Sequence, residues 1–382
     1  MGKSPRVMKT ALRLMHSREN HGRKPGLAPL PASDEPSWMR VWYFVGALVV
    51  AALASGCSRP TAALESGREP ELVFRFALQP NPANKVWDGA QLLREEIEQR
   101  SEGRIKVMFY DSGVIGDERA LLMNCYLGVV EMVQCTSSVV TTLDPTFSLL
   151  DLPYLFVDEA HHLRVLHGPV GRELLDGLRQ HRLQGLSFLS CGFRNLFNAR
   201  NVEVTSPEDL RGMKIRVMES PVMIRSINAM GGSATPLSAG ELFQAMRTGV
   251  VDAAENNATV FVSDKFAEAG ARNFSLTEHF ATQHVLVANR DWLDRVAREH
   301  PDLHRIIVEA SDRIRVEYNR RWDAGITASL ATIEAAGVKI NPVPNKRPFI
   351  ERARPLWDDF LRRNPEVNPE LLTRIQAEAG GL

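Results

Sequence analysis

The chain has 382 residues, 44% of them apolar and 24% charged, which is enough for one large or two medium domains with ordinary cores. Its 46 Lys and Arg are balanced by 46 Asp and Glu, so it lacks the basic field that nucleic-acid binding needs, and a nucleic-acid partner is set aside. No GxSxG, HExxH, CxxC or GxxxxGK[ST] stretch and no glycine-rich cofactor loop occurs, so no metal or cofactor is expected.

Residues 1–38 are basic, rich in Pro, Ser and His, and without sustained apolar periodicity. They are expected to be disordered, or an artefact of the assigned gene start with Met39 as the true first residue. Met39-Arg40 leads into VWYFVGALVVAALASG and Cys57, which has the charge, apolar run and small-residue exit of a secretory signal. Residues 39–57 are therefore read as a signal peptide. Ala54-Ser55-Gly56-Cys57 is similar to a bacterial lipoprotein cleavage box, which makes Cys57 a lipidation candidate, although Leu53 sits one position earlier than that pattern prefers. An uncleaved anchor and export without lipid are the alternatives. Residues 58–70 read as a linker. With Cys57 lipidated, Cys125, Cys135 and Cys191 remain; Cys125 and Cys135 could pair, but their apolar contexts favour buried thiols.

From Leu72 the pattern alternates. LVFRFAL puts Leu72, Phe74, Phe76 and Leu78 on one strand face, and a helix over 85–100 follows, with Val86, Trp87, Ala90, Leu93 and Ile97 at helical spacing. Trp87 in that stripe is read as core rather than as a sugar-stacking ring. A strand over 104–110, a helix over 117–127 and a strand over 129–138 come next. Helices are expected over 159–166 and 171–181, then a strand over 186–189 leading into Cys191-Gly-Phe-Arg194. The alternation predicts an α/β fold with a mostly parallel sheet and helices on both faces. His161, His162 and His167 lack the spacing of a zinc pair and are read as surface residues. Beyond Ala281 lie one strand-like run at 285–288 and long helical patterns, with 302–326 as one extended helix or two.

Ligands in such sheets bind beyond the carboxyl ends of the strands. That rule selects Gln79, Thr136, Ser137, Ser138, Arg194, Arg216, Asn256 and Asn257. In KIRVM, Ile215 and Val217 share one face while Lys214, Arg216 and Met218 share the other, so Arg216 turns away from the core.

Three ordered segments carry a resemblance: Asp209-Leu-Arg-Gly-Met-Lys-Ile-Arg216-Val217, Ala234-Thr-Pro236-Leu, and Gly249-Val-Val-Asp252-Ala-Ala-Glu255-Asn256-Asn257. Together they resemble the signature region of the substrate-binding proteins of tripartite ATP-independent periplasmic (TRAP) transporters, and the resemblance covers nearly all of the chain after Glu71. It implies a two-domain periplasmic-binding-protein-like α/β fold with a long helix linking the domains, drawn here as 71–192 plus 283–321 and 193–282 plus 322–382. It also implies that Arg216 binds a substrate carboxylate, helped by Arg194 in GFRNLFN and by the amide of Asn256. A guanidinium suits that task, since it gives two parallel hydrogen bonds and stays charged when desolvated. For Arg194 the alternative is a salt bridge near the hinge; for Asn257, where many members have proline, a turn-forming role. Glu255 is read as a structural acceptor. Gln79, Thr136 and Ser137 would meet the far end of the ligand.

The expected function is that of a periplasmic solute receptor, not an enzyme, that delivers a small organic acid to TRAP-type permease subunits, with a lipid anchor at Cys57 as an option. The neutral groups and the Asn256-Asn257 pair favour a sugar acid such as a hexuronate over a dicarboxylate, a keto acid or another monocarboxylate. A ligand-sensing lipoprotein of the same fold, or a secreted enzyme with dispersed catalytic residues, is the alternative.

Overall fold

Phe74 and Phe76 lie inside the sheet because they alternate along β1 (Leu72–Leu78), which pairs in parallel with β2 (Ile105–Tyr110), Phe74 opposite Val107 and Phe76 opposite Phe109. The structure, a computed structural model, describes residues 69–380. Residues 1–38, the signal segment with Cys57 and most of the 58–70 linker lie outside the described residues. Between β1 and β2 runs α1 (Trp87–Arg100), which buries Ala90, Leu93 and Ile97. A second helix, α2 (Glu118–Tyr126), starts at Asp117, whose side chain accepts from Ala120 N, and leads to β3 (Met132–Thr136) and the single turn α3 (Ser137–Val140). Next come α4 (Glu159–His167), α5 (Pro169–Gly177) and β4 (Leu183–Asn198).

The motif region supplies β5 (Lys214–Val217), α6 (Pro221–Met230), β6 (Ser233–Pro236), α7 (Ala239–Arg247), β7 (Ala253–Asn256) and α8 (Ala258–Ser263). It is followed by β8 (Asn273–Asn289), α9 (Arg290–Glu299) and α10 (Pro301–Ala335). The chain closes with β9 (Lys339–Asn341), α11 (Arg347–Ala353), α12 (Pro355–Arg363) and α13 (Pro369–Ala377). The 302–326 pattern is thus part of one 35-residue helix, about 50 Å long at ~1.5 Å per residue. That helix packs on α1, β4 and α8, burying Tyr318 and Trp322.

All nine strands form one sheet in the order β2-β1-β3-β8-β4-β7-β5-β6, with β9 on β8. The expectation of a mostly parallel sheet holds for five of the eight pairings, whereas β3–β8, β8–β4 and β4–β7 at its centre are antiparallel. The cause is that β4 and β8 are 16 and 17 residues long, whereas the sequence showed only their apolar segments at 186–189 and 285–288. The polar residues in between, among them Arg194, Thr277, His279 and Gln283, interrupt the hydropathy pattern without interrupting the ladder, because their side chains find partners inside the protein. The β4–β8 register shifts between Ser190 and Phe193, where Gly192 takes φ +61°.

The expectation that the histidines lie at the surface fails. His161 and His162 are fully buried, with His161 Nε2 2.7 Å from Ile375 O and His162 Nε2 2.8 Å from Gln283 Oε1. These partners stand more than a hundred residues away in the chain, which is why spacing within α4 did not reveal them. His167 is half-buried, and burial pushes it down to about 4. Cys125, Cys135 and Cys191 are free thiols in the core.

Candidate functional site

Arg216 lies on β5 opposite Thr235 of β6 and Ala254 of β7. Alternation does turn it away from Ile215 and Val217, but into a closed interior rather than to solvent: Lys214 is exposed while Arg216 is 2% exposed. The chain leaving β6 covers it. There Ser238 and Glu241 form the capping box that starts α7, and this fixes the preceding carbonyl, Leu237 O, which accepts from Arg216 Nε at 2.9 Å and Nη2 at 2.7 Å. No carboxylate forms an ion pair with this guanidinium among the described residues. Burial depresses its pKa from 12.5 to about 10, with Glu255 opposing that shift and Arg194 adding to it.

Beside it is a cavity of about 280 Å³. Arg194, Arg216, Asn256, Asn257, Gln79 and Thr136 all line it, so six of the eight sequence candidates converge. They do so because the carboxyl ends of β1, β3, β5 and β7 point to one place, as the strand-end rule requires. Arg194 arrives from within β4 rather than from its end. Ser137 and Ser138 are the exceptions: the Ser137 hydroxyl accepts from Gln283 Nε2 and the Ser138 hydroxyl donates to Asp151 Oδ1 at 2.6 Å, because the chain turns into α3 directly after Thr136. Trp87 is half-buried and outside the cavity, edge-on to Phe109 at 5.5 Å, with Nε1 donating to Asp111 at 3.2 Å.

The two arginines are held differently. Arg194 Nε and Nη2 grip Glu255, with Nη2 3.0 Å from Oε1 and 2.7 Å from the Glu255 carbonyl, both residues being buried. Its Nη1 has only a long contact, 3.5 Å, to Thr282 Oγ1. Arg194 is therefore a neutralised member of a buried pair with one edge left over. Asn256 Oδ1 accepts from Asn257 N at 2.9 Å, and its Nδ2 has no partner among the described residues. Asn257 caps α8 by accepting from Val260 N at 2.9 Å and donates to Cys191 O at 3.3 Å, so its amide is largely committed to the fold. Proline could do neither.

Sequence reasoning missed Glu118, Asp264, His284, Asn81 and Asn84, which also line the cavity. Glu118 had the look of a first-turn helix acid; it accepts from Thr136 N and Oγ1 at 3.3 and 2.6 Å, and burial raises its pKa. Asp264 follows α8, accepts from Ser263 Oγ at 3.0 Å, and is likewise raised by burial. His284 is 5% exposed, its Nδ1 has no partner, and burial with Arg194 lowers it to about 3, so the ring is neutral. The strand-end rule would have reached His284 only had the full length of β8 been legible. Val86, Met218, Leu242, Val260 and Phe266 supply apolar walls.

Residues 76–364 match the bacterial extracellular solute-binding proteins, family 7. A solute-binding protein of Chromohalobacter salexigens is 32% identical over 283 residues, 74% of this chain and 82% of that one. Among solved structures, a TRAP periplasmic solute-binding protein from Chromohalobacter salexigens with bound D-glucuronate superposes with a TM-score of 0.75 at 30% identity, covering 80% of this chain and 99% of its own. One from Xanthobacter autotrophicus with bound β-D-galacturonate gives 0.74 at 29% identity, with 80% and 99% covered.

Proposed function

Because this chain belongs to the family 7 bacterial extracellular solute-binding proteins, the periplasmic receptors of TRAP transporters, we propose that its cavity takes a sugar acid of hexuronate type. The ligand carboxylate is clamped by Arg216, and the loaded protein delivers it unchanged to TRAP-type permease subunits. The observation that carries this reading is a guanidinium 2% exposed, lining a cavity and held by one backbone carbonyl but by no carboxylate. A buried cation without a counter-ion is costly, and a bound carboxylate relieves that cost. Asn256 Nδ2 and Arg194 Nη1 are the supporting donors, and Gln79 and Thr136 meet the hydroxyl-bearing end. Asn257 acts by capping α8 beneath the ligand. Hexuronates also bind the two structural relatives described above.

Uptake works by closure of two domains, 71–192 plus 283–321 on 193–282, with α13 held to the first through Ile375 O and His161. The bulge at 190–193, with Gly192 in the left-handed region, lies where the first boundary is drawn. A ligand bridging both sides binds the closed state better and shifts the population toward it. Cys57 lies outside the described residues; lipid attachment there would tether the receptor to a membrane and is checked by incorporation of labelled palmitate in wild type and Cys57→Ser.

The test of function is a thermal-shift screen of sugar acids, C4-dicarboxylates, keto acids and simple monocarboxylates, followed by calorimetry and recovery of the ligand after incubation. Hexuronates should give the largest stabilisation and be recovered unaltered. Stabilisation by C4-dicarboxylates alone, or turnover of the ligand, would refute the reading.

A further inference from the structure

Counting charge around the cavity separates ligands that the carboxylate clamp alone does not. Arg194 is neutralised by Glu255, so Arg216 is the cation left to meet an anion. Two carboxyl groups, Glu118 and Asp264, line the same cavity, and neither has an ion-pair partner among the Lys and Arg of the described residues. Both act on Arg216 electrostatically. We propose that Glu118 and Asp264 are specificity-determining residues that admit a polyhydroxylated monocarboxylate and exclude a ligand carrying a second carboxylate; this rests on the sugar-acid reading above.

The bonds that each group makes within the fold leave acceptor capacity facing the cavity. Asp264 stands at the carboxyl end of α8, where the helix dipole disfavours negative charge, and its single bond is a short-range one from the neighbouring Ser263. Glu118 is nearly buried, 11% exposed at the side chain, and its bonds from Thr136 leave lone pairs on both oxygens unfilled. Burial raises the pKa of both, which means that each carboxylate is short of the donors water would have given it. Sugar hydroxyls are such donors. His284 adds an independent sign of a ligand: its buried Nδ1 has no partner, and the neutral ring that burial enforces suits a hydroxyl and not a second anion. With Arg216 satisfied by the first carboxylate, a second one entering this end of the cavity would meet two like charges and no free cation.

Calorimetric titration of wild type, Glu118→Gln and Asp264→Asn with D-glucuronate and with D-glucarate tests this. The two ligands differ in ring closure as well as in charge, so the decisive quantity is the change of their affinity ratio between proteins, in which shape cancels. Wild type should favour glucuronate by roughly a hundredfold or more, and at least one amide variant should reduce that ratio by about tenfold or more, chiefly by tightening glucarate. The amides are close in size to the acids they replace, and two independent single variants guard against one failing to fold. A wild-type preference below about tenfold, or a ratio that neither substitution moves, overturns the proposal while leaving the sugar-acid reading intact. Failure to bind either ligand overturns both.

Discussion

Replacing Arg216 by Met should abolish ligand binding without destabilising the empty protein, a combination that a structural arginine would not give. The guanidinium is 2% exposed, and its pKa is depressed from 12.5 to about 10, chiefly by burial. At ~1.4 kcal/mol per pH unit, holding it charged costs the fold about 3 kcal/mol at neutral pH. A base whose folded pKa is depressed destabilises at every pH below that value, and relief comes only as the pH rises through about 10. Methionine removes this cost and fills similar space, but it leaves Leu237 O without its two donors, a penalty of about 1–3 kcal/mol if water does not replace them. The two terms leave a net change between roughly zero and a gain of about 2 kcal/mol. For the ligand, losing a desolvated charged partner commonly costs about 2–5 kcal/mol, which is roughly 30-fold to several thousandfold in Kd. Urea denaturation of the ligand-free protein gives the first quantity and calorimetric titration with a hexuronate the second. Near-normal affinity would refute the clamp, and a stability loss above about 3 kcal/mol would show that Arg216 serves the fold.

The remaining predictions concern buried acids that flank the same region. Glu255→Gln leaves Arg194 buried without its counter-ion and should cost about 3–5 kcal/mol of stability in denaturant unfolding; a loss below about 1 kcal/mol would contradict the pair as described. Asp151 accepts from Ser138 Oγ at 2.6 Å and Ser220 Oγ at 2.7 Å, and burial pushes its carboxyl up to about 6 from an ordinary 3.8. An acid raised in the fold holds its proton there while the unfolded chain has released it, so its contribution to stability falls as the pH rises from about 4 through about 6. The stability of wild type relative to Asp151→Asn should therefore decline by about 3 kcal/mol across that window, at ~1.4 kcal/mol per pH unit, and a difference independent of pH would refute the assignment.

Local pattern carried a good part of this molecule. The strand at 72–78, the helix that ends at Arg100, the capped helix after Asp117 and the long C-terminal helix all follow from periodicity and caps, since these depend on neighbours a few residues apart. The site was legible where two local signals coincided: Arg216 by strand alternation and Asn256 by the end of an apolar run, both strengthened by the motif they share with a family. Even there, alternation could say only that Arg216 turns away from Ile215; that it turns into a cavity follows from the Leu237 carbonyl and α7, which lie across it.

What the tertiary structure decided involves partners far apart in the chain. Arg194 became one half of an ion pair because β4 and β7 run side by side, setting Leu196 opposite Glu255. His161 and His162 became interior residues because α13 and β8 supply their acceptors. Glu118, Asp264 and His284 joined the site although nothing in their own surroundings sets them apart from ordinary helix-end and strand residues. By itself the sequence determined most of the elements, the family and the candidate arginine, because hydropathy period, capping and motif are written in short segments. The charge balance of the cavity was decided only by the fold, because electrostatic interaction depends on distance through space, and residues more than a hundred positions apart reach it together.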